Sequence, residues 1–133
     1  MKYQGFSKPE RLCSIKTIAG LFEKGFSFNT RLLKVIWAES PVLLPYPAQV
    51  AFSVPKKKFR HAVTRNLIKR RMREAYRKQK NSLYDFLISN NKQIVFILVF
   101  RGNEPADYPE TESAVADALI RLSSAVKENT GKC

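Results

Sequence analysis

The chain has 133 residues, 44% of them hydrophobic, which suits a single compact domain with a real core and argues against disorder. Its 24 Lys and Arg against 11 Asp and Glu leave a net charge of +13, an excess that favours a polyanionic partner, nucleic acid ahead of an anionic membrane surface. The two cysteines, Cys13 and Cys133, lie far apart without metal-ligand spacing and read as reduced thiols. The N-terminal stretch lacks an apolar leader, no apolar run reaches membrane length, and neither repeats nor a linker divide the chain. A cytoplasmic protein with one domain over residues 1–133 is expected.

Residues 1–13 are polar and basic, and are expected to stay loosely ordered until they meet a partner. Ser14 can cap a helix carrying Ile15, Ile18, Leu21 and Phe22 on one face, and Gly25 is placed to end it in the left-handed conformation. From 28 to 38 the pattern has period two. Leu33, Val35 and Trp37 point one way, while Leu32, Lys34 and Ile36 point the other, so a basic residue interrupts an apolar second face. Pro41, Pro45 and Pro47 keep the next connection out of helix. Residues 49–54 alternate again, Val50, Phe52 and Val54 against Gln49, Ala51 and Ser53, until Pro55 stops the strand.

A Lys-rich turn then leads into a helix over residues 62–80. Between Lys56 and Lys80 there are twelve Lys or Arg and a single acid, Glu74. At about 100° per residue, Asn66, Lys69, Arg70, Arg73 and Arg77 share one face, and Leu67, Ile68, Met72, Ala75 and Tyr76 a broad opposite one. Asn81 and Ser82 either break this helix or start another, since Leu83, Phe86 and Leu87 keep helical spacing, and Asn90-Asn91 reads as a turn. Residues 93–100 are apolar on both faces, as in a strand covered on both sides. An acidic loop follows, then a helix with the stripe Val115, Ala118, Leu119, Leu122 and Val126, ended by Gly131. The order α–β–β–α–β–α predicts an α/β sandwich, its helices packed on one small sheet.

Catalytic patterns are missing. His61 is the only histidine and sits among cations; the carboxylates are scattered, and the five glycines are isolated. Solvated helix faces usually mix signs through Glu-to-Lys pairs four apart, and here only Glu74 and Lys78 have that spacing. The unopposed row therefore points to a phosphate backbone, without deciding between DNA and RNA. Among the aromatics, Phe96 reads as core. Phe22 stays open between core and base stacking, because its short helix lies beside strands carrying Lys34 and Ser53.

Arg65-Asn66, Lys69-Arg70 and Arg73-Glu74 match an RNxxKRxxRE signature, and with Ser53-Val54-Pro55-Lys56-Lys57 before it, Ala62-Val63 at the helix entry, Phe22 and Gly25 upstream and Arg101 downstream, the chain resembles the protein-subunit family of bacterial ribonuclease P. Leu67 departs from that pattern, which usually has a second arginine there. Ile18 stands where the family often has an aromatic, and the turn at 58–61 lacks the usual glycine. The resemblance implies a mostly antiparallel sheet, with a βαβ crossover of uncommon left-handed sense running through the basic helix. It also implies a ribonucleoprotein endonuclease that removes the 5′ leader of precursor tRNA, in which the RNA subunit, with Mg²⁺ in its active site, performs the hydrolysis. The protein itself would bind no cofactor and supply no catalytic residue. Arg65, Asn66, Lys69, Arg70, Arg73 and Arg77, with Lys56 and Lys57 at the cleft mouth, would bind RNA; Phe22, Lys34, Ile36 and Ser53 would line the leader cleft. The implied partners are ribonuclease P RNA and precursor tRNA, with neither a membrane nor an obligate protein partner. The rival reading is a basic ribosomal or other structural RNA-binding protein without a role in cleavage.

Overall fold

The computed structural model describes residues 10–40 and 42–130. Residues 1–9, Pro41 and 131–133 lie outside them, and with these the first nine residues of the expected loosely ordered start, the ending of the last helix at Gly131 and the reduced Cys133 thiol. The elements are α1 (Ile15–Lys24), β1 (Phe26–Asn29), β2 (Leu33–Glu39), β3 (Ala48–Ser53), α2 (Ala62–Ser89), β4 (Ile94–Phe100) and α3 (Tyr108–Thr130). The strands form one sheet in the order β1-β2-β4-β3. β1 and β4 each run antiparallel to β2, while β3 runs parallel to β4 with α2 as the crossover between them.

One predicted strand is two. The period-two stretch over 28–38 is interrupted by a hairpin turn at Thr30, whose amide donates to the Leu33 carbonyl at 2.7 Å. The Thr30 hydroxyl accepts from the Leu33 amide at 3.2 Å and donates to its carbonyl at 3.1 Å. A threonine closes this turn where glycine or proline would have announced it. The Arg101 guanidinium donates to the Thr30 carbonyl and the Arg101 amide to the Leu32 carbonyl, so the end of β4 fastens the hairpin.

α1 starts as expected, with the Ser14 hydroxyl accepting from the Thr17 amide at 3.2 Å. It ends differently. Gly25 has φ −70°, an ordinary extended value, so no left-handed cap exists. A Cβ at Gly25 would lie 2.6 Å from the Leu21 carbonyl oxygen and 3.0 Å from the Ile36 side chain, so glycine is needed for the close approach of α1 to β2. Among the described residues, the one with a left-handed backbone is Asn91, φ 54°, in the turn between α2 and β4.

α2 is one continuous helix of 28 residues that passes Asn81 and Ser82 without a break. Leu83, Tyr84 and Leu87 are buried beyond them, and packing outweighs the weak helix preference of two polar residues. One face of the sheet, with Val35, Trp37, Val50, Phe96, Leu98 and Phe100, packs against α2 and α3 in the main core. The other face joins Ile36, Val95 and Ile97 to Leu12, Leu21 and Leu44 in a second cluster under α1. β4 is thus covered on both faces, as its composition predicts, and the stripe of α3 from Val115 to Val126 is buried as read. At roughly 1.5–3 kcal/mol per fully buried large side chain, two such layers hold the fold without a disulfide.

Residues 10–12, at the start of the described chain, are tied to the sheet and to α2. The Leu12 amide donates to the Val50 carbonyl at 2.9 Å, and Arg11 bridges Val50 in parallel register on the outer edge of β3. Glu10 is buried, paired with the fully buried Lys80 ammonium, and accepts from the Tyr84 hydroxyl at 2.6 Å. Burial pushes the phenols of Tyr76 and Tyr84 well above the usual tyrosine range, which keeps both neutral beside this pair.

Candidate nucleic-acid interface

The outward face of α2 carries Asn66, Arg70 and Arg73 in solvent, with Lys69 half-buried between them. Among the described residues, no carboxylate lies within ion-pair distance of Lys69, Arg70 or Arg73. Together with Val63 and Leu67 they line an open depression of about 650 Å³. Leu67 is half-buried, as its place on the apolar side of the helix predicts, and adds a greasy floor where an arginine would have added charge.

Two of the basic residues read as RNA contacts are engaged elsewhere. The Arg65 guanidinium turns back to donate to the Phe59 and Arg60 carbonyls at 2.8 and 3.0 Å. It thereby closes the Lys-rich turn, whose Lys58 and Phe59 amides both donate to the Pro55 carbonyl. Phe59 is buried against Phe100 with ring centroids 5.8 Å apart, and the Lys58 ammonium donates to the Arg101 carbonyl at 2.6 Å. Lys56 and Lys57 are left exposed on a braced turn. Arg77 makes a two-pronged pair with Glu74, at 2.8 and 2.7 Å. That hydrogen-bonded pair holds the Glu74 carboxyl below the usual carboxylate range and raises Arg77. The sequence spacing had matched Glu74 with Lys78; the partner is Arg77, three residues on, so the unopposed charge stops at Arg73.

On the other side of the sheet, Lys34 and Ser53 are both in register with Val99, so β2, β4 and β3 present the row Lys34–Val99–Ser53. At about 4.8 Å between strands, Lys34 and Ser53 stand roughly 10 Å apart on one face. Phe22 lies on α1, which packs over this face, and remains 58% exposed. Ile36, expected to line the cleft, lies deeper. It is buried to 4% in the next row, Ile36–Ile97–Ala51, under Leu21 and against Gly25, so it supports the cleft from below. Val99, half-buried between Lys34 and Ser53, is the apolar residue of the more open row, and β4 reads as too uniformly apolar in sequence to single it out.

A trough of about 420 Å³ runs beside the edge of β3, lined by Arg11, Leu12, Val50, Phe52, Lys69 and Arg73 among others. Arg11 was not singled out in the sequence, where nothing local distinguishes it from its basic neighbours. Cys13 is a free, exposed thiol at the same edge. Among the described residues, no three His, Cys, Asp or Glu side chains gather where they could hold a metal ion.

The sequence model of the ribonuclease P family matches residues 6–123. The ribonuclease P protein component of Porphyromonas gingivalis is 35% identical over 130 residues, 96% of this chain and 93% of that protein. That of Petrotoga mobilis is 36% identical over 127 residues, 93% of this chain and its own entire length. The RNase P protein of Staphylococcus aureus superposes with a TM-score of 0.67 at 19% identity, covering 86% of this chain and 94% of that one. For the Thermotoga maritima protein the TM-score is 0.67 at 20% identity, covering 84% and 96%. These two structures share the fold, and the sequence matches extend nearly end to end: the chain belongs to the ribonuclease P protein component family.

Proposed function

We propose that the chain binds the catalytic RNA of ribonuclease P on the outward face of α2, and the single-stranded 5′ leader of precursor tRNA on the α1 side of the sheet. One observation carries the reading: Lys69, Arg70 and Arg73 share a helix face that no carboxylate of the described residues opposes. Phosphates are the counter-charge such a face lacks. Asn66 adds a neutral hydrogen-bonding group for riboses or base edges, while Arg65 and Arg77 act mainly by shaping the turn and the helix surface. The row Lys34–Val99–Ser53, with the exposed ring of Phe22 on the helix above, offers a cation, an apolar floor and an aromatic, which suits an unpaired strand. Lys56 and Lys57 would meet the strand at the mouth of that cleft.

In this reading the hydrolysis is the work of the RNA, with Mg²⁺ held in the RNA active site. The protein binds, orients and neutralises. A cytoplasmic subunit with no membrane partner and no obligate protein partner completes this reading. The test is cleavage of precursor tRNA at low Mg²⁺ by a bacterial ribonuclease P RNA, with and without the chain. Stimulation of cleavage, with tighter binding of precursor than of mature tRNA, is the expected result. RNA binding with neither effect would leave only a structural RNA-binding protein.

A further inference from the structure

Arg11 lines the trough with Lys69 and Arg73 but belongs to no helix or strand of its own that could fix it there. Two connections do. On one side, Leu12 is buried and its amide bonds to Val50 on the edge of β3. On the other, Glu10 enters the interior and pairs with Lys80 and Tyr84, both on α2 and both fully buried. The Lys80 ammonium also lies 5.5 Å from the centre of the Tyr84 ring. An ion pair buried this deeply is not the cheapest way to fill a core, because desolvation offsets most of the attraction. What it does well is fix register: Glu10 can satisfy its charge at one place only, and Arg11 follows next in the chain.

We propose that Glu10, Lys80 and Tyr84 form a buried latch whose role is to position Arg11 beside Lys69 and Arg73, completing a three-cation site for an RNA phosphodiester at the edge of β3. This rests on the reading of Lys69 and Arg73 as RNA contacts. Phe52 and Val50 line the same trough, so the site joins cationic groups to an apolar wall. It adds a phosphate contact supplied by the N-terminal strap to those supplied by α2. The phosphodiester comes from either the catalytic RNA or the leader, and both are tested below.

The experiment measures the salt dependence of affinity of the full chain for a bacterial ribonuclease P RNA, and for precursor and mature tRNA in the reconstituted holoenzyme. Arg11→Ala should lower the log–log slope by about one. The paired replacement Glu10→Gln with Lys80→Met removes both charges together and keeps the volume. It should lose the same unit of slope with the circular dichroism spectrum unchanged, and Arg11→Ala added to it should cost nothing more. Tyr84→Phe, milder still, should lose part of the unit. A slope change on the catalytic RNA alone assigns the phosphate to that RNA; one seen only with precursor tRNA assigns it to the leader. Additive losses from Arg11→Ala and the latch replacement would overturn the positioning role, and an unchanged slope in Arg11→Ala would overturn the site. Arg70→Gln separates the levels: if it lowers the slope while Arg11→Ala does not, only this inference fails, and if neither does, the α2 reading fails with it.

Discussion

The two halves of α2 use the same residue type to opposite ends. In the first half, Lys69 and the arginines at 70 and 73 face outward with no carboxylate near them among the described residues. Near the middle, Lys80 is buried completely and committed to Glu10. A charge count along the helix treats all of these as one basic stretch. The structure divides them into cations awaiting a polyanion and a cation already spent on holding the chain's own start. Exposed cations of the first kind contribute to binding and its salt dependence. A buried cation of the second kind contributes to stability and position.

The largest effect expected from breaking this division comes at Lys80. Lys80→Met alone leaves the Glu10 carboxylate buried without its partner, and should cost about 3–5 kcal/mol of stability in urea unfolding. Restoring most of that loss with Glu10→Gln would confirm that the pair acts as a unit. Phe22→Ala tests the comparison from outside α2. It should weaken precursor tRNA by about 1–3 kcal/mol, the range for one stacked base, leaving mature tRNA affinity and thermal stability nearly unchanged. Equal losses for both tRNAs would make Phe22 part of the scaffold. Arg70→Gln should lower the salt slope for RNA by about one, so that the affinity ratio between about 50 and 200 mM salt shrinks roughly fourfold, with the melting temperature unmoved.

The smallest effect sharpens the boundary between the two kinds of cation. Arg77 is tied to Glu74, so Glu74→Gln should release it to the polyanion and raise the slope by at most about one. The pH dependence follows from the depressed Glu74 pKa. A carboxylate whose folded-state pKa is lowered adds stability above its unfolded value and loses it as pH falls through the folded one. The slopes of the parent and of Glu74→Gln should therefore converge on acidification below the ordinary carboxylate range. Parallel curves down to that point would mean that the pair does not restrain Arg77.

The helix faces were legible because a period of 3.6 sorts residues without knowledge of their neighbours; the faces of α2 over 62–80, the stripe of α3 and the doubly covered β4 came out as read, while the sequence leaves the run of α2 on to Ser89 open. The signature at Arg65 to Glu74 named the family for the same reason, since its spacing is local. What escaped the sequence depends on distant contacts or on one hydroxyl. Thr30 breaks a strand through its own side chain, a weaker signal than glycine. Gly25 serves a close approach to Ile36, not a left-handed turn, and only the packing of α1 on β2 reveals that. Ile36 is buried and Val99 half-exposed because α1 covers one row of the sheet and leaves the next more open. Glu10 and Lys80 find each other across 70 residues of sequence, and no pattern joins them.

The strap on β3 also bears on how the free protein avoids its own copies. β3 ends the sheet, and an uncovered edge strand offers unpaired amide and carbonyl groups to any other strand that drifts alongside. Leu12 occupies the Val50 carbonyl in the middle of that edge, and the strap sets Arg11 beside it. A second chain approaching in strand register would have to displace a buried ion pair and face like charge. Protection of this edge is thus built into the same few residues that hold the start of the chain in place.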